Sequence, residues 1–408
     1  MVELTDFGIE NPSALPLDEL LRISAQTMIR TAVTCELIAY LEQMSHLRLP
    51  NGQAAVLRNG NLPPRTVAVN AGSVEVSIPR TRNRLGTSEN FTSALIPPYR
   101  RRSMTIDEAV PILYLLGIST GQMLPALESL LGPGVSGLSA TNVTRLKRCW
   151  EEEHKTWSRR SLEETEYCYM WVDGIYFGLR SGEDRICLFV VVGARADGRK
   201  ELVAVATGYR ESTESWASVL RDLRSRGLVP PKLMIGDGAL GIWAAARTVY
   251  PETKHQRCWN RKVLNVLDAM PKRMQGKARQ MLREIWSADT RKDAEKAMDA
   301  FVSTFEAKYP KATSCLTKDR VSLLTFYDFP AEHCRHLRTS NVIESTFSSV
   351  RLRTEKTRGH GTESSTLTMV YKLLEHAAKS WRKLNGCMII PLVMQGAIYE
   401  NGILKKAA

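Results

Sequence analysis

Tyr169-Met170-Trp171-Val172-Asp173-Gly174-Ile175-Tyr176-Phe177 is an apolar and aromatic run interrupted by a single carboxylate. Residues of this kind favour a strand, and a charge in the middle of a buried strand is costly unless something compensates it. Asp173 therefore meets either a bound cation or a structural partner, such as backbone N–H groups or an arginine like Arg180. Two more β-rich runs follow, Ile186–Ala194 and Leu202–Thr207, with turn residues at Ser181-Gly182-Glu183-Asp184 and Asp197-Gly198. Short turns of this chemistry join antiparallel neighbours. A helical stretch, Ser215–Arg226, then leads to a fourth run, Lys232–Gly236. The order β-β-β-α-β predicts a mixed α/β core in which the helix crosses over and brings the fourth strand alongside.

The fourth run ends in Leu233-Met234-Ile235-Gly236-Asp237-Gly238-Ala239-Leu240-Gly241, which sets Asp237 between two glycines with a helix opening just after it. Glycines lack the Cβ that would crowd a phosphate or metal, and active sites gather at the C-terminal ends of such strands. The alternative is an Asp that caps the following helix. Glu344 lies in Thr339-Ser340-Asn341-Val342-Ile343-Glu344-Ser345-Thr346-Phe347, beside the apolar face made by Ile343, Phe347 and Val350. Alone, it reads equally as a solvated helical glutamate. As a set, the three carboxylates suit phosphodiester chemistry, which uses two hard cations about 4 Å apart. Mg²⁺ takes oxygen ligands, so this needs no His or Cys.

Outward from this core, residues 258–335 are mostly helical and form an inserted helical segment, with Met274, Ala278, Met281, Leu282 and Ile285 on one helix face. Helical patterns return at Val342–Val350 and Ser364–Leu384, and the tail 386–408 has weak signals. Towards the N-terminus, 1–50 is a helical segment, with helical spacing over residues 17–45 in one long or two short helices. Residues 51–104 read as a small hairpin, Thr66–Val69 and Val74–Ile78 about a loop at Asn70–Ser73, followed by a basic linker. Residues 105–160 resemble a helix-turn-helix: Ile106–Leu116, a turn at Gly117–Gln122, Met123–Leu131, and a helix capped by Ser139 that runs through His154. The first part of the core is 161–257, and 336–385 completes it with Glu344.

The 408 residues are 43% hydrophobic and 24% charged, which suits two or three globular domains. A net charge of +13 makes nucleic acid the first candidate partner. Six arginines stand against one glutamate between residues 80 and 102. The eight cysteines include no CxxC pair, and Met1–Ser13 lacks a charged-then-apolar signal segment, which together point to the cytoplasm. No apolar run approaches the roughly 20 residues needed to span a bilayer.

Eight segments, taken in order, carry a resemblance: Val172–Phe177, Asp197–Ala204, Gly208–Ser212, Ser215-Trp216, Ile235–Gly241, Gln256–Trp259, Tyr327–Pro330 and Ile343–Phe347. In these the sequence resembles the Mutator-like transposases of bacterial insertion sequences, from the N-terminal helices to about residue 396. The resemblance implies an α/β ribonuclease H-like catalytic core with a helical insertion, preceded by a mostly helical DNA-binding region. It implies that Asp173, Asp237 and Glu344 form a DDE triad holding two Mg²⁺ ions, with Mn²⁺ able to substitute. It further implies binding of terminal inverted repeats, strand cleavage and transfer into target DNA, and a homodimer or larger synaptic complex acting at the bacterial nucleoid.

One departure stands out. The family continues its Cys-x-x pattern with His, whereas this chain reads Cys258-Trp259-Asn260-Arg261. Arg261 can keep a phosphate contact but cannot transfer a proton. A catalytically inactive relative, acting as a DNA-binding repressor or scaffold, is therefore the alternative. The candidate DNA contacts are Arg100, Arg101, Arg102, Arg145 and Lys147 in the N-terminal half, then Arg261 and the basic residues Arg351, Arg353, Lys356 and Arg358 beyond Glu344. Trp259 either stacks on a base or fills the core.

Overall fold

In the computed structural model, which describes residues 15–86, 90–115, 117–118, 120–131, 140–178, 185–208, 210–238, 240–357 and 362–406, the chain divides into two units. These are Met1–Leu146 and Lys147–Ala408.

The first unit begins with one unbroken helix, α1 (Leu17–Gln43). Four short strands follow: β1 (Val56–Asn61), β2 (Arg65–Val69), β3 (Gly72–Val76) and β4 (Pro79–Asn83). β2 and β3 form the expected hairpin, but the turn is tighter than expected: Val69 already pairs with Gly72, which takes a positive φ of 106°. Val33 of α1 packs with Val67, Val74, Val76, Ile78 and Ile96. The basic linker expected after the hairpin is in part strand β4, antiparallel to β1. Its arginines alternate because a strand does: Pro79 and Thr81 point inward while Arg80 and Arg82 stay exposed. Next come α2 (Met104–Leu115) and α3 (Thr120–Leu131), which pack together, and α4 (Ala140–Ser158), which continues into the second unit. α3 starts inside the expected turn, and the cap expected at Ser139 lies outside the described residues.

The second unit is built on β5 (Tyr167–Gly178), β6 (Arg185–Arg195), β7 (Lys200–Gly208), α5 (Thr213–Ser225), β8 (Leu233–Gly236), α6 (Leu240–Val249) and β9 (Lys254–Arg257). The strands form one sheet in the order β7-β6-β5-β8-β9. β5, β6 and β7 are antiparallel neighbours, β8 runs parallel to β5, and β9 runs parallel to β8. Ser212 caps α5, its hydroxyl accepting from the Ser215 N–H at 3.1 Å. Trp216, Leu220 and Leu223 of α5, with Trp243 and Ala246 of α6, cover Met170, Val172, Phe189 and Val191. Each large apolar side chain buried this way contributes about 1.5–3 kcal/mol.

Strand β9 has no counterpart among the runs expected from sequence. The helical insertion follows it as α7 (Trp259–Asp268), α8 (Lys272–Ser287), α9 (Arg291–Phe305), α10 (Pro310–Thr317), α11 (Arg320–Leu323) and α12 (Ala331–Leu337). Then come α13 (Asn341–Thr357), which packs on β5 and β6, and α14 (Glu363–Ala378), which packs on α13 and β7. α14 stops short of the expected Leu384. The tail holds α15 (Ile390–Met394) and a hairpin of β10 (Ile398–Glu400) and β11 (Ile403–Lys406). None of the eight cysteines forms a disulfide. Among the described residues, no helix is long and apolar enough to cross a membrane.

Candidate active site

The parallel pairing of β5 with β8 ends at Val172 opposite Gly236. The next residue on each strand is an aspartate, so Asp173 and Asp237 emerge side by side at the C-terminal edge of the pair. Asp173 is only 1% exposed. Its Oδ1 accepts from the Gly174 N–H at 2.9 Å, while its Oδ2 is buried with no hydrogen-bond partner. Burial, reinforced by the Asp237 charge, pushes the Asp173 carboxyl up to about 8.

Glu344 is brought to these aspartates from the first turn of α13. The buried Cys258 ties the pieces together. Its N–H donates to the Gly236 carbonyl at 2.7 Å, and its Sγ accepts from the Ser340 N–H at 3.2 Å. The Ser340 hydroxyl in turn donates to Glu344 Oε1 at 3.2 Å. Burial raises the pKa of the Cys258 thiol, so at neutral pH it serves as a neutral acceptor rather than a nucleophile. Two further contacts close the neck of the insertion: the Trp259 N–H donates to the Arg338 carbonyl at 2.9 Å, and Asn260 Nδ2 to Asn341 Oδ1 at 2.6 Å.

Arg261 enters from the first turn of α7. Its Nε stands 3.1 Å from Glu344 Oε1, an ion pair without the alignment of a hydrogen bond. The charges of Asp173, Glu344 and Asp237 all raise its pKa against the effect of burial. Arg261 is thus the protein's own countercharge to all three carboxylates. The side chains are within electrostatic reach of one another rather than in chelating contact. Among the described residues, no three His, Cys, Asp or Glu side chains are grouped so as to hold a metal ion as placed.

A fourth carboxylate, which the sequence reading did not single out, also faces this centre. Glu211 lies between β7 and α5, and a Cβ on Gly174 would come within 2.9 Å of its Oε1. Glu211 adds to the negative field at Asp173. Its own carboxyl is pushed up by burial and by Asp237. The segment Gly208–Ser212 carried the resemblance noted above, but it attached no role to the glutamate.

The loop after β8 is pinned from behind. Arg257 Nη1 donates to the Gly238 carbonyl at 3.0 Å and pairs with Asp319 at 3.0 Å. Asp319 also pairs with Lys262, which is fully buried. The bareness of Gly238 therefore makes room for an arginine rather than for a ligand: at φ +87°, an added Cβ would lie 2.1 Å from Arg257 Nη1. Gly238→Ala is expected to cost roughly 1–3 kcal/mol in backbone strain alone and to shift Asp237. Urea denaturation checks this, and a wild-type unfolding free energy would refute the pinning.

The remaining sequence candidates are spread over both units. Arg100, Arg101 and Arg145 are exposed, while Arg102 and Lys147 are half-buried. Arg351 is exposed on α13. Arg353 and Lys356 belong to α13, but their side chains, like the whole of Arg358, lie outside the described residues. Trp259 must be corrected as a base-stacking candidate. It is 2% exposed, donates to the Leu323 carbonyl at 2.8 Å and packs near Trp286, so it belongs to the core.

Comparison with known proteins places the chain in a family. The family described as Transposase, Mutator family, matches residues 8–384. The chain is 50% identical over 299 residues to the transposase for insertion sequence element IS6120 of Mycolicibacterium smegmatis, a match covering 73% of this chain and 92% of that one. It is also 50% identical over 283 residues to the transposase for element IST2 of Acidithiobacillus ferrooxidans, covering 69% of this chain and 95% of the other. A more distant relative is the transposase for IS256 in transposon Tn4001 of Staphylococcus aureus, 24% identical over 347 residues, or 84% and 86% of the two chains. With residues 8–384 matched and half of the aligned positions identical to those of named insertion-sequence transposases, the chain belongs to the Mutator family of transposases, enzymes that act on DNA.

Proposed function

We propose that this transposase works by DDE chemistry on a ribonuclease H-like core, with Asp173, Asp237 and Glu344 as both catalytic and metal-binding residues. In this reading it binds the terminal inverted repeats of its element, cuts the ends and joins them to target DNA as a homodimer or larger synaptic complex. The observation that carries it is the buried, unpartnered Asp173 Oδ2 beside Asp237. A buried carboxylate oxygen without a donor is costly, and a hard divalent cation is the partner that an all-oxygen donor set selects. The sheet order β7-β6-β5-β8-β9, with crossover helices α5 and α6 leading into its parallel strands β8 and β9, supports the fold assignment.

Two Mg²⁺ ions, with Mn²⁺ as substitute, supply activation of a water or 3′-hydroxyl and charge neutralisation at the leaving oxygen. The protein's part is positioning. Parallel register fixes the two aspartates against each other, and the Cys258–Ser340 contact fixes the turn that carries Glu344. Arg261 stays protonated throughout, so it offers a donor to phosphate and accepts no proton.

The test is cleavage and strand transfer on labelled element-end DNA with Mg²⁺ or Mn²⁺. The wild type should cut and join, while Asp173→Ala, Asp237→Ala and Glu344→Ala each bind the ends yet do neither. A wild type that binds the ends but never cuts would leave the repressor or scaffold reading in its place.

A further inference from the structure

We infer that Glu211 is a fourth carboxylate of the divalent-cation site, a cation-binding residue alongside Asp173, Asp237 and Glu344. This rests on the metal-dependent reading above and extends it to a residue outside the triad.

The geometry supports this from three sides. Glu211 comes from the loop between β7 and α5, whereas Glu344 comes from α13, so the two reach the aspartates from separate parts of the chain. The backbone of β5 is bare where the carboxylate lies: a Cβ at position 174 would sit 2.9 Å from Glu211 Oε1 and would push the carboxylate aside. The loop is also held. The Glu211 N–H donates to the Tyr176 hydroxyl at 3.0 Å, and Trp216 Nε1 donates to Oε1 at 3.4 Å.

The charge pattern agrees. Asp173, Asp237, Glu211 and Glu344 share one field, and Arg261 is the cation that acts on both Asp173 and Glu211. One guanidinium cannot offset four carboxylates. The nine-tenths-buried group among them, Asp173, keeps an oxygen with no hydrogen-bond partner, and the charges of the other three carboxylates all act on it. Packing carboxylates this closely is unfavourable in a purely structural role, whereas binding of a hard cation draws on oxygen ligands and their charge.

The competing explanation is that Glu211 merely accepts from Trp216 and steadies the start of α5. Direct Mn²⁺ binding separates the two, measured on the full-length protein by the electron paramagnetic resonance signal of free Mn²⁺. The variants are Glu211→Gln, which keeps shape and acceptor but loses charge, Asp173→Asn as a ligand control, and Glu214→Gln as a control at an exposed neighbour paired with Arg221. Thermal melting in chelator verifies that each folds. Glu211→Gln is expected to weaken Mn²⁺ binding about 10- to 100-fold while folding at least as well as wild type, with Glu211→Asp intermediate and Glu214→Gln unchanged. If Asp173→Asn abolishes binding but Glu211→Gln binds as wild type, Glu211 is structural and this inference alone falls. If wild type binds no Mn²⁺, or Asp173→Asn binds as well as wild type, the metal-dependent reading fails and this inference goes with it.

Discussion

Asp173→Asn is expected to abolish strand cleavage and, in the absence of divalent cations, to make the protein more stable. A side chain that holds a catalytic cation controls several kcal/mol of transition-state stabilisation, or about three orders of magnitude in rate. The gain in stability follows from the proton. Asp173 has a folded-state pKa of about 8 against an ordinary 3.8, so between those values the folded protein binds a proton that the unfolded chain has released. The contribution of Asp173 to the stability of the metal-free protein should therefore be full below about pH 4, decline as the pH rises to about 8, and level off above that. Asparagine carries no charge to bury and should flatten this contribution. Melting curves in chelator from pH 5 to 9 measure it, with cleavage assayed in parallel. A variant that melts below wild type at pH 8, or that still cuts, would contradict the account.

Asp319→Ala is expected to cost about 3–5 kcal/mol, the usual consequence of removing one member of a buried ion pair. Asp319 is shared by Arg257 and Lys262, whose side chains are 8% and 0% exposed. Burial pulls the Lys262 ammonium below its usual pKa, and the hydrogen bond to Asp319 works against that pull. Lys262 keeps one acceptor, the Cys315 carbonyl at 2.7 Å, while Arg257 keeps the Gly238 carbonyl. The loss should therefore reach the active site, because Arg257 pins the loop that carries Asp237. Equilibrium urea unfolding gives the stability, and cleavage at a temperature where the variant remains folded gives the rate. A loss below about 1 kcal/mol would show that the two cations find other partners.

What could be read from sequence follows from where each element draws its partners. β5, β6, β7 and β8 are covered by apolar side chains, so their apolar runs announced them, and Asp173 stood out against that background. β9 is different. Its residues, Lys254-His255-Gln256-Arg257, are polar because the insertion supplies polar partners. Buried Gln256 donates to the Leu323 carbonyl at 3.1 Å and accepts from the Phe326 N–H at 2.8 Å. No local pattern encodes such a strand. Glu211 was hidden for a similar reason: its relation to Gly174 exists only once β5 and the loop after β7 are folded together. The tail hairpin has a local signal, since Asn401-Gly402 is a strong turn pair and both residues take the positive φ it calls for, 52° and 80°. Trp259 had a core alternative from the start, and the packing around it decides for that alternative.

The closed neck of the insertion also sets which changes in chain length the enzyme can tolerate. Residues 258–260 and 338–341 are bonded to each other, so the helices between them leave and return at one point. Added or deleted residues near 269–271 or 306–309, where α7 gives way to α8 and α9 to α10, fall beyond that point and leave the seat of Glu344 alone. A single residue gained between Ser340 and Glu344 would instead rotate the carboxylate about 100° around the axis of α13, away from the aspartates. Natural length variation among such transposases should accordingly collect at the first two places and be missing from the third.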